Sequence, residues 1–426
     1  MNITAEREPL AELDPLVSAA PVCRFCSAPL RDTFVDLGMS PLCESFLRAD
    51  QVNQMEAFYP LHVRVCRSCF LVQLEAYVSG KDIFTEYAYF SSYSDSWVEH
   101  ARRYADLAIE RLGLTERSFV VELASNDGYL LQHFVKRSVP VLGIEPARNV
   151  AEVAKTKGVP TLTEFFGVEL GRRVAAERGK ADLILGNNVL AQVPDLNDFV
   201  GGILPLLADS GTVTVEFPHL ARLIAGNQFD TIYHEHYSYF SLFSTEQIFA
   251  RHGLRIFDVD ELSTHGGSLR IWVCHRDDAR SETQRLRKLR KRELSEGVDR
   301  LQYYSDFSVR VIKTKHNLLE FLIQARRAGK SVAAYGAPGK GNTLLNYCGI
   351  RTDFLEYTVD RNPYKHGRFL PGTHIPIYPT ERLAQTRPDY IMIMPWNLKD
   401  EISAQLEYTR KWGAHLVVAV PELEVF

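Results

Sequence analysis

The chain has 426 residues, a formal net charge of -4 and 24% charged residues. This length is more than one ordinary hydrophobic core can organise, so we expect two or three domains. The slightly acidic balance disfavours nucleic acid as a partner, and no apolar stretch has the length of a membrane span. The opening residues lack the basic and then apolar pattern of a secretion signal, so we expect a cytoplasmic protein with neither nucleic-acid nor membrane partners.

Two Cys-x-x-Cys pairs stand near the start of the chain, Cys23 with Cys26 and Cys66 with Cys69. Each pair places two thiolates on one tight turn, and two such turns supply the four sulfur ligands of a structural zinc site. The alternative, chance pairs of buried or disulfide-bonded cysteines, is disfavoured by the repeated spacing. Four protein ligands leave no position for a substrate, so we assign the zinc to folding and predict a zinc-binding module over residues 1–75. We expect the other cysteines to be small buried residues: Cys43, Cys274 and Cys348.

Residues 76–280 are predicted to form a second domain, which begins with a segment rich in tyrosine and serine. This segment could line an active site or pack between the zinc module and the second domain, and it contains Tyr87, Tyr89, Ser91, Ser92 and Tyr93. From Ser118 onward, short apolar runs alternate with helical segments. This alternation predicts βαβ units and a mostly parallel sheet covered by helices.

The run VVELASNDGYLL predicts a cofactor pocket, because a buried strand is followed by a short polar turn and a helix. Adenosine-containing cofactors lie across such turns at the carboxyl ends of doubly wound sheets. Glu145 ends the next strand, where a carboxylate can accept hydrogen bonds from both ribose hydroxyls. The candidate cofactor residues are Glu122, Ser125, Asn126, Asp127, Gly128, Glu145, Asn187 and Asn188.

The composition of this turn separates two cofactors that share the outline. NAD requires a G-x-G-x-x-G turn for its pyrophosphate, and only Gly128 is present here. A polar, acidic turn suits the methionine end and sulfonium of S-adenosylmethionine. We therefore predict S-adenosylmethionine rather than NAD or an empty fold.

The segment FDTIYHEHYSYF concentrates ionisable and aromatic side chains, among them Tyr233, His234, Glu235 and His236. A general base oriented by a carboxylate, with tyrosines that hold substrate, is the favoured interpretation. A metal bound by His234 and His236 is the alternative. We expect the segment to be extended with both histidines on one face, and no third ligand is evident.

A third, smaller α/β domain is predicted over residues 281–426, after a charged helix whose basic run is interpreted as a solvated face. Its glycine-rich turn YGAPGKGNT lacks the full spacing of a nucleotide triphosphatase. We favour a sugar-nucleotide diphosphate near Lys340 and the backbone amides over a purely structural turn. His265, in HGGSLR, either borders the sugar or turns a hairpin.

The chain resembles the three-domain, zinc-containing C-methyltransferases that act on nucleotide-linked keto-deoxysugars, such as the antibiotic-sugar 3-C-methyltransferases. The resemblance covers nearly the whole chain and rests on the cysteine pairs and on further motifs in the same order. These are VELASNDGYLL, GIEP, NNVLAQVPDLNDF, YHEH, HGGSLR, YGAPGKGNTLLNY and DRNPYKHGRFLPGTHIPI.

The resemblance implies S-adenosylmethionine in the middle domain and a nucleotide-sugar in the cleft between the middle and C-terminal domains. It implies His236 as the base, with Tyr233 and Glu235 as its partners, acting on C3 next to a C4 ketone. Tyr87 and Tyr89 are further catalytic candidates. The candidate substrate-binding residues are His265, Gly336, Lys340, Asn342 and Lys365.

Gln192 is a departure, because the resembling enzymes commonly have a histidine there. Glutamine can donate a hydrogen bond to an oxyanion but cannot shuttle a proton at neutral pH. An altered acceptor or reaction is therefore one alternative, and a non-catalytic zinc-scaffolded protein that binds cofactor or sugar is another. The Tyr, His and Glu cluster disfavours the second alternative. Nothing in the surface pattern demands a dimer, so we expect a monomer.

Overall fold

A computed structural model of the protein describes residues 21–80 and 90–426. The described residues form three β-sheets. The first contains, in spatial order, β1 (Asp32–Ser40), β2 (Tyr59–Val65), β3 (Val72–Leu74) and β9 (Ser238–Tyr239). The second contains β10 (Leu254–Leu262), β11 (Ser268–His275), β8 (Leu207–Pro218), β7 (Ala181–Asn187), β4 (Val120–Leu123), β5 (Val141–Ile144) and β6 (Thr161–Leu162). The third contains β14 (Ile377–Tyr378), β13 (Thr358–Val359), β12 (Val332–Tyr335), β15 (Tyr390–Ile393), β16 (His415–Val418) and β17 (Glu424–Val425).

The helices connect these strands and cover the sheets. The first seven are α1 (Asp95–Leu112), α2 (Leu131–Val135), α3 (Arg148–Thr156), α4 (Val168–Arg178), α5 (Leu196–Leu206), α6 (Leu220–Ala225) and α7 (Leu242–Arg251). The remaining six are α8 (Gln284–Glu296), α9 (Gln302–Ser305), α10 (Phe307–Arg327), α11 (Gly339–Cys348), α12 (Arg382–Thr386) and α13 (Lys399–Gln405). Within the described ranges, every helix falls short of the length and hydrophobicity that a membrane span requires.

The seven-stranded sheet has the doubly wound architecture that the sequence predicts. Its strands β4 and β5 are buried along their whole length, which explains their continuous apolar sequence. Strand β4 pairs in parallel with β5 on one side and with β7 on the other. The chain order therefore reverses between β4 and β7, and a ligand crevice forms at their carboxyl ends. Strand β11 runs antiparallel between β8 and β10.

The six-stranded sheet repeats this plan in the C-terminal domain. Strand β12 pairs in parallel with β13 and with β15, so a second crevice lies between the carboxyl ends of β12 and β15. Only β17 of these strands is antiparallel to its neighbour. The predicted fold class, a zinc module followed by two Rossmann-like α/β units, is confirmed.

A strand from the middle of the chain completes the sheet of the N-terminal module. Strand β9 pairs antiparallel with β3, with Tyr239 opposite Val72 and Ser238 opposite Gln73. The Leu74 N–H also donates to the Tyr237 carbonyl at 3.0 Å. The segment that carries the candidate base is therefore held by the zinc module.

The hydrophobic cores cross the predicted domain boundaries. Leu286 and Leu289 of α8 pack into the core of the seven-stranded sheet, and the basic residues of this helix face outward. Phe34 of β1 and Val311 of α10 belong to one shared core of the N-terminal module and the C-terminal domain. The division of the chain at residues 75 and 280 stays a prediction.

Candidate active site and metal centre

Four thiols of the N-terminal module converge where the sequence predicts a metal. The Sγ atoms of Cys23, Cys26, Cys66 and Cys69 all lie within 4.8 Å of one another. Cys23 Sγ is 3.6 Å from Cys69 Sγ, and Cys26 Sγ is 3.5 Å from Cys66 Sγ. A zinc ion with four sulfurs at about 2.3 Å holds them about 3.8 Å apart, so the cluster fits tetrahedral Zn²⁺. The three cysteines outside the cluster are buried, as expected: Cys43, Cys274 and Cys348.

The two Cys-x-x-Cys turns share one backbone geometry. In each, the residue after the second cysteine donates its N–H to the carbonyl of the first at 2.9 Å, Ser27 to Cys23 and Phe70 to Cys66. Ser27 and Phe70 also share a positive φ, 61° and 56°. The Gln73 side chain donates to Cys23 Sγ at 3.1 Å, which stabilises a thiolate ligand. The turn geometry and the Gln73 hydrogen bond therefore suit a metal site, in addition to the four sulfur atoms.

The turn after β4 has the left-handed backbone that brings a loop close to a ligand. Ala124, Asn126 and Gly128 have φ values of 55°, 48° and 74°. A Cβ at Gly128 would lie 3.2 Å from both Ala154 Cβ and Val159 Cγ2. Glycine is therefore required at this position both by its φ and by the close approach of α3.

Glu145, which follows β5, closes the same turn. Its Oε2 accepts the Asn126 N–H at 2.8 Å, and its Oε1 accepts the Ala147 N–H at 2.9 Å. Burial raises the pKa of Glu145 to about 7. Burial, followed by the charges of Glu145 and Asp127, raises the pKa of Glu122 well above its usual range. A cationic ligand would favour the ionised form of these crowded carboxyl groups.

Buried polar atoms without a hydrogen-bond partner among the described residues cluster at this edge. They are Ser125 Oγ, Asp127 Oδ1, both amide atoms of Asn187, and Asn188 Oδ1. Native structures pair nearly all such groups, so the cluster indicates a polar ligand. S-adenosylmethionine fits this donor and acceptor set, because it combines a cationic end with ribose hydroxyls and an adenine amine.

The 3₁₀ turn Ser91–Tyr93 lies over the cofactor turn. The Ser91 N–H donates to Asn126 Oδ1 at 2.9 Å, and the Ser92 N–H donates to Asp127 Oδ2 at 3.3 Å. The ring of Tyr93 stacks on Tyr364 of the C-terminal domain with 6.3 Å between centroids. The catalytic candidates Tyr87 and Tyr89 lie outside the described residues, so their roles stay predictions.

His236 has the hydrogen bonding of a general base. Its Nδ1 is 3.0 Å from the Thr231 carbonyl oxygen, which can only accept, so Nδ1 carries the proton and Nε2 has the free lone pair. Burial, followed by the positive charge of Lys340 and the nearby His265, lowers the pKa of His236 to about 4. Its ring packs against Tyr233 at 4.1 Å between centroids. A backbone carbonyl thus holds one ring nitrogen, and the role of Glu235 as a partner of the base stays a prediction.

The expectation of an extended segment with His234 and His236 on one face is wrong. Residues 233–236 form a turn closed by the His236 N–H and the Tyr233 carbonyl at 2.9 Å. His234 Nε2 lies 3.2 Å from the Pro60 carbonyl of the zinc module. The turn thus separates the two imidazoles. The alternative metal site is not among the metal-ligand clusters that the described residues form.

His265 and Lys340 lie near the base, from opposite domains. His265 is exposed to solvent and has a left-handed backbone with φ 53° and ψ 27°. Desolvation, followed by the charge of Lys340, lowers the pKa of His265 to about 4. His265 is thus open to solvent on one side, whereas protein groups such as the Trp97 ring crowd it on another. Lys340 donates to Asn397 Oδ1 at 2.7 Å, and its Nζ is 4.8 Å from the Trp396 ring centroid.

A buried polar network lies at the end of β8, near His265. Arg270 donates to Glu216 Oε2 at 2.6 Å, and His100 Nε2 lies 3.0 Å from both carboxylate oxygens. Burial raises the pKa of Glu216, but the contacts with His100 and Arg270 outweigh it and hold that pKa below its usual range. The His100 ring stacks on Trp97, whose ring meets His265 edge-on at 5.0 Å. The network therefore supports the wall that presents His265.

The glycine-rich turn of the C-terminal domain is partly engaged by the zinc module. A Cβ at Gly339 would lie 2.8 Å from Cys43 Sγ and 3.1 Å from a Glu44 carboxylate oxygen. Lys365 Nζ donates to the Ala337 carbonyl at 2.8 Å and lies 3.9 Å from Glu44. Gly336 has φ 91° and abuts Pro395.

Asn342, one turn into α11, is buried, and neither of its amide atoms has a hydrogen-bond partner among the described residues. Lys365, Gly336 and Lys340 all contact protein groups. The ligand-binding roles of Lys340 and Asn342 stay predictions.

Gln192 lies beside the base segment. It ends the 3₁₀ turn Leu190–Gln192, whose Ala191 carbonyl accepts the Tyr237 N–H at 2.7 Å. The neighbouring Pro194 carbonyl accepts a 2.9 Å hydrogen bond from Arg24, inside the first Cys-x-x-Cys pair. The zinc site thus braces the loop that carries Gln192.

Sequence reasoning missed several residues of the site, namely Thr231, His100, Glu216, Arg270, Trp396 and Asn397. Thr231 acts through its carbonyl, for which a sequence has no signal. The others become neighbours only through contacts between distant parts of the chain.

Three family models match the chain in series. They are a zinc binding domain over residues 23–84, a methyltransferase domain over 97–259 and a C-methyltransferase C-terminal domain over 263–421. A curated relative, the C-methyltransferase NovU of Streptomyces niveus, is 35% identical over 403 residues. The match covers 95% of this chain and 96% of that protein.

Solved methyltransferase structures match the central part of the chain. An S-adenosylmethionine-dependent methyltransferase of Anabaena variabilis is 15% identical, with 41% of this chain and 84% of that chain covered and a TM-score of 0.34. The magnesium protoporphyrin IX methyltransferase of Synechocystis PCC 6803 with bound SAM is 14% identical, with 42% and 82% covered and a TM-score of 0.32.

The fold and the matched domains define an S-adenosylmethionine-dependent methyltransferase with a zinc-binding domain. The sequence identity to the NovU enzyme extends along nearly the whole chain and narrows the class of methyltransferase to those that methylate carbon. The chain belongs to the C-methyltransferase family.

Proposed function

We propose that this C-methyltransferase acts on C3 of a 4-keto-deoxysugar linked to a nucleoside diphosphate. The hydrogen bond from His236 Nδ1 to the Thr231 carbonyl is the observation that carries the proposal, because it leaves Nε2 free to accept a proton. Carbon acceptors need such a base, since a carbon nucleophile must first lose its proton. A ketone next to the reacting carbon makes that proton removable.

The chain's residues supply the parts of this chemistry. His236 Nε2 takes the C3 proton, and the electron pair passes to the C4 oxygen as an enolate. We assign the stabilisation of that oxygen to the Lys340 ammonium and the neutral imidazole of His265, both of which interact electrostatically with His236. The desolvation that lowers the pKa of both histidines supports the proposal that little water reaches the enolate.

The residues at the carboxyl ends of β4, β5 and β7 would hold S-adenosylmethionine. Glu145 suits the ribose hydroxyls, and Asp127, Asn187 and Asn188 offer unpaired polar atoms to the remainder. When bound, the cofactor supplies an electrophilic methyl group.

The C-terminal crevice suits the nucleotide-sugar. Two polar groups support this assignment at the start of α11: the Lys340 ammonium, which lies over the Trp396 ring, and the buried Asn342 amide, which has no hydrogen-bond partner among the described residues. We assign them to the sugar or to its diphosphate, together with His265. We give Lys365 and Gly336 the lesser role of shaping the turn, because their contacts are with protein.

The test is mass spectrometry of purified protein, S-adenosylmethionine and a panel of 4-keto-6-deoxy and 2,6-dideoxy nucleotide-sugars in deuterium oxide. We expect a product heavier by one methyl group, and we expect His236→Asn to abolish both this product and deuterium entry at C3. His234→Asn is the matched control, because that imidazole faces Pro60 in the zinc module. Equal loss in both variants would mean that the segment, and not the His236 base, is what the substitutions remove.

The same experiment distinguishes the proposed function from the alternative that Gln192 has altered the acceptor or the reaction. Deuterium exchange without methyl transfer would indicate that the base works on the wrong acceptor. Absence of both signals across the panel would reject the keto-sugar proposal for this chain.

A further inference from the structure

The carbonyl that orients His236 belongs to a short 3₁₀ turn, Phe229–Thr231. The middle residue of this turn, Asp230, has no exposed surface. A buried carboxyl group is costly unless donors pair with it, so its partners strongly constrain the local backbone. The position of the Thr231 carbonyl therefore depends on what holds Asp230.

The C-terminal domain supplies that partner. Trp396 follows β15 at the second crevice, and its indole N–H donates to Asp230 Oδ2 at 2.7 Å. The pair is 166 residues apart in sequence and joins two domains. The same ring lies under the Lys340 ammonium, with 4.8 Å from Nζ to the ring centroid.

Helix α11 reinforces this contact along one face. Thr343 Oγ1 donates to the Ile232 carbonyl at 3.0 Å, and the Tyr347 ring meets Phe229 edge-on at 5.5 Å. Lys340, Thr343 and Tyr347 are spaced at i, i+3 and i+7, so they share that face. The C-terminal domain thus contacts the residues on both sides of Thr231.

We propose that Asp230 and Trp396 are positioning residues that fix the Thr231 carbonyl, and through it the tautomer and direction of the His236 imidazole. The Trp396 ring also contacts the Lys340 ammonium. Binding of substrate in the C-terminal crevice is therefore coupled to the orientation of the base. The inference rests on the proposed function only for the identity of the substrate.

Charge attraction supports the same arrangement. Burial raises the pKa of Asp230 to about 6, while Lys340 and the Trp396 hydrogen bond oppose that rise. The facing groups are therefore one cation, one indole N–H and the backbone of the turn. Without the indole N–H, the Asp230 carboxyl group would lose this hydrogen bond, and the Phe229–Thr231 turn would no longer be fixed by it.

Three substitutions separate geometry from charge. Trp396→Phe keeps an aromatic ring for Lys340 and removes the N–H. Asp230→Asn keeps an acceptor oxygen for the indole at nearly equal volume, and Asp230→Leu removes it. Displacement of a catalytic group by about 1 Å costs about 100-fold in rate, so we expect Trp396→Phe and Asp230→Leu to lower kcat and C3 exchange by about 10–100-fold.

We expect Asp230→Asn to stay within about threefold of the parent, and the double variant Trp396→Phe, Asp230→Leu to be no worse than the poorer single variant. Affinity for S-adenosylmethionine and zinc content should not change. Equal loss in Asp230→Asn and Asp230→Leu would overturn the proposal in favour of a charge effect, and so would an unchanged rate in Trp396→Phe.

A spectroscopic readout makes the test independent of the acceptor. In protein with ¹⁵N-labelled histidine, assigned through the signal missing in His236→Asn, we expect one His236 tautomer with a proton on Nδ1. Trp396→Phe should mix the tautomers, because the Thr231 carbonyl would no longer hold the proton on Nδ1. An unchanged spectrum would overturn the proposal even if no acceptor were methylated, whereas failure of the keto-sugar panel alone would reject only the proposed function.

Discussion

Tyr239 lies directly opposite Val72 in an antiparallel pair, so the strand that follows the base belongs to the sheet of the zinc module. The Cys66 and Cys69 turn leads straight into Val72, and His236 stands three residues before Tyr239. The metal and the base are thus joined by one short path of backbone hydrogen bonds. Four cysteine ligands would leave zinc no open coordination position, yet the module that holds them also pairs with the strand after the base.

We predict that Gln73→Glu will weaken zinc binding by about 10–100-fold, because it removes the N–H donor to Cys23 Sγ and places a negative charge beside a thiolate. The rate of methyl transfer should fall with zinc content, since the base segment is attached to the module. Competition with a chelator measures the affinity. Gln54→Glu makes the same change on the exposed surface of the module and should have no effect.

We predict that the acid limb of kcat/KM for the acceptor, measured with saturating S-adenosylmethionine, will lie well below pH 6.5. The base acts when neutral, and burial, His265 and Lys340 lower the pKa of His236 to about 4. Activity should therefore be retained as the pH falls through 6 and be lost only near 4. Lys340→Met removes one cation, so the limb should move to higher pH. Lys330→Met, at an exposed lysine paired with Asp389, should leave it in place. An acid limb at pH 6.5 in the parent enzyme would contradict the desolvation of His236.

We predict that S-adenosylmethionine will bind more tightly as the pH rises through about 7, the pKa of Glu145. Binding of a cation should favour the carboxylate and release a proton. In the free protein the sign is opposite: the raised pKa contributes stability below the ordinary value of 4.5, and that contribution is lost as the pH rises through about 7.

Calorimetric titration in buffers of different ionisation enthalpy counts the released protons. Glu145→Gln should flatten the pH dependence of the affinity. A pH-independent affinity in the parent enzyme, with no proton release, would show that Glu145 does not face the cofactor.

The sequence predicts the parts of the fold whose signals are local. The paired cysteines, the buried strands and the polar turn around Gly128 each follow from a few adjacent residues, and the structure places them as expected. The contact between Asp230 and Trp396 has no such signal, because it depends on how two domains pack. The prediction that residues 233–236 are extended was wrong for a similar reason. The hydrogen bond between His234 and the Pro60 carbonyl requires a turn, which the alternation of residue types does not reveal.

We predict that Gly128→Ala will destabilise the protein by about 2–3 kcal/mol, the cost of a left-handed alanine together with a tight contact. Its Cβ would meet Ala154 and Val159 at 3.2 Å. Gly113→Ala is the matched control, because Gly113 has φ 62° and open space around a Cβ, so only about 1 kcal/mol is expected. Denaturant unfolding measures both. Equal losses would show that the close approach of α3 is relaxed in solution.

We predict that Gln192→Leu will lower kcat by about 10–100-fold, whereas Gln192→His will stay within about fivefold of the parent enzyme. The Ala191 carbonyl binds the Tyr237 N–H, so Gln192 borders the base segment, and its amide can donate to the substrate as an imidazole would. Steady-state rates with the acceptor that the keto-sugar panel identifies provide the measurement. A rise of more than tenfold in Gln192→His would instead mean that the reaction needs a proton shuttle at this position. The natural acceptor of this chain would then differ from the acceptor in the panel, because a chain with glutamine here must use a substrate that does not require the shuttle.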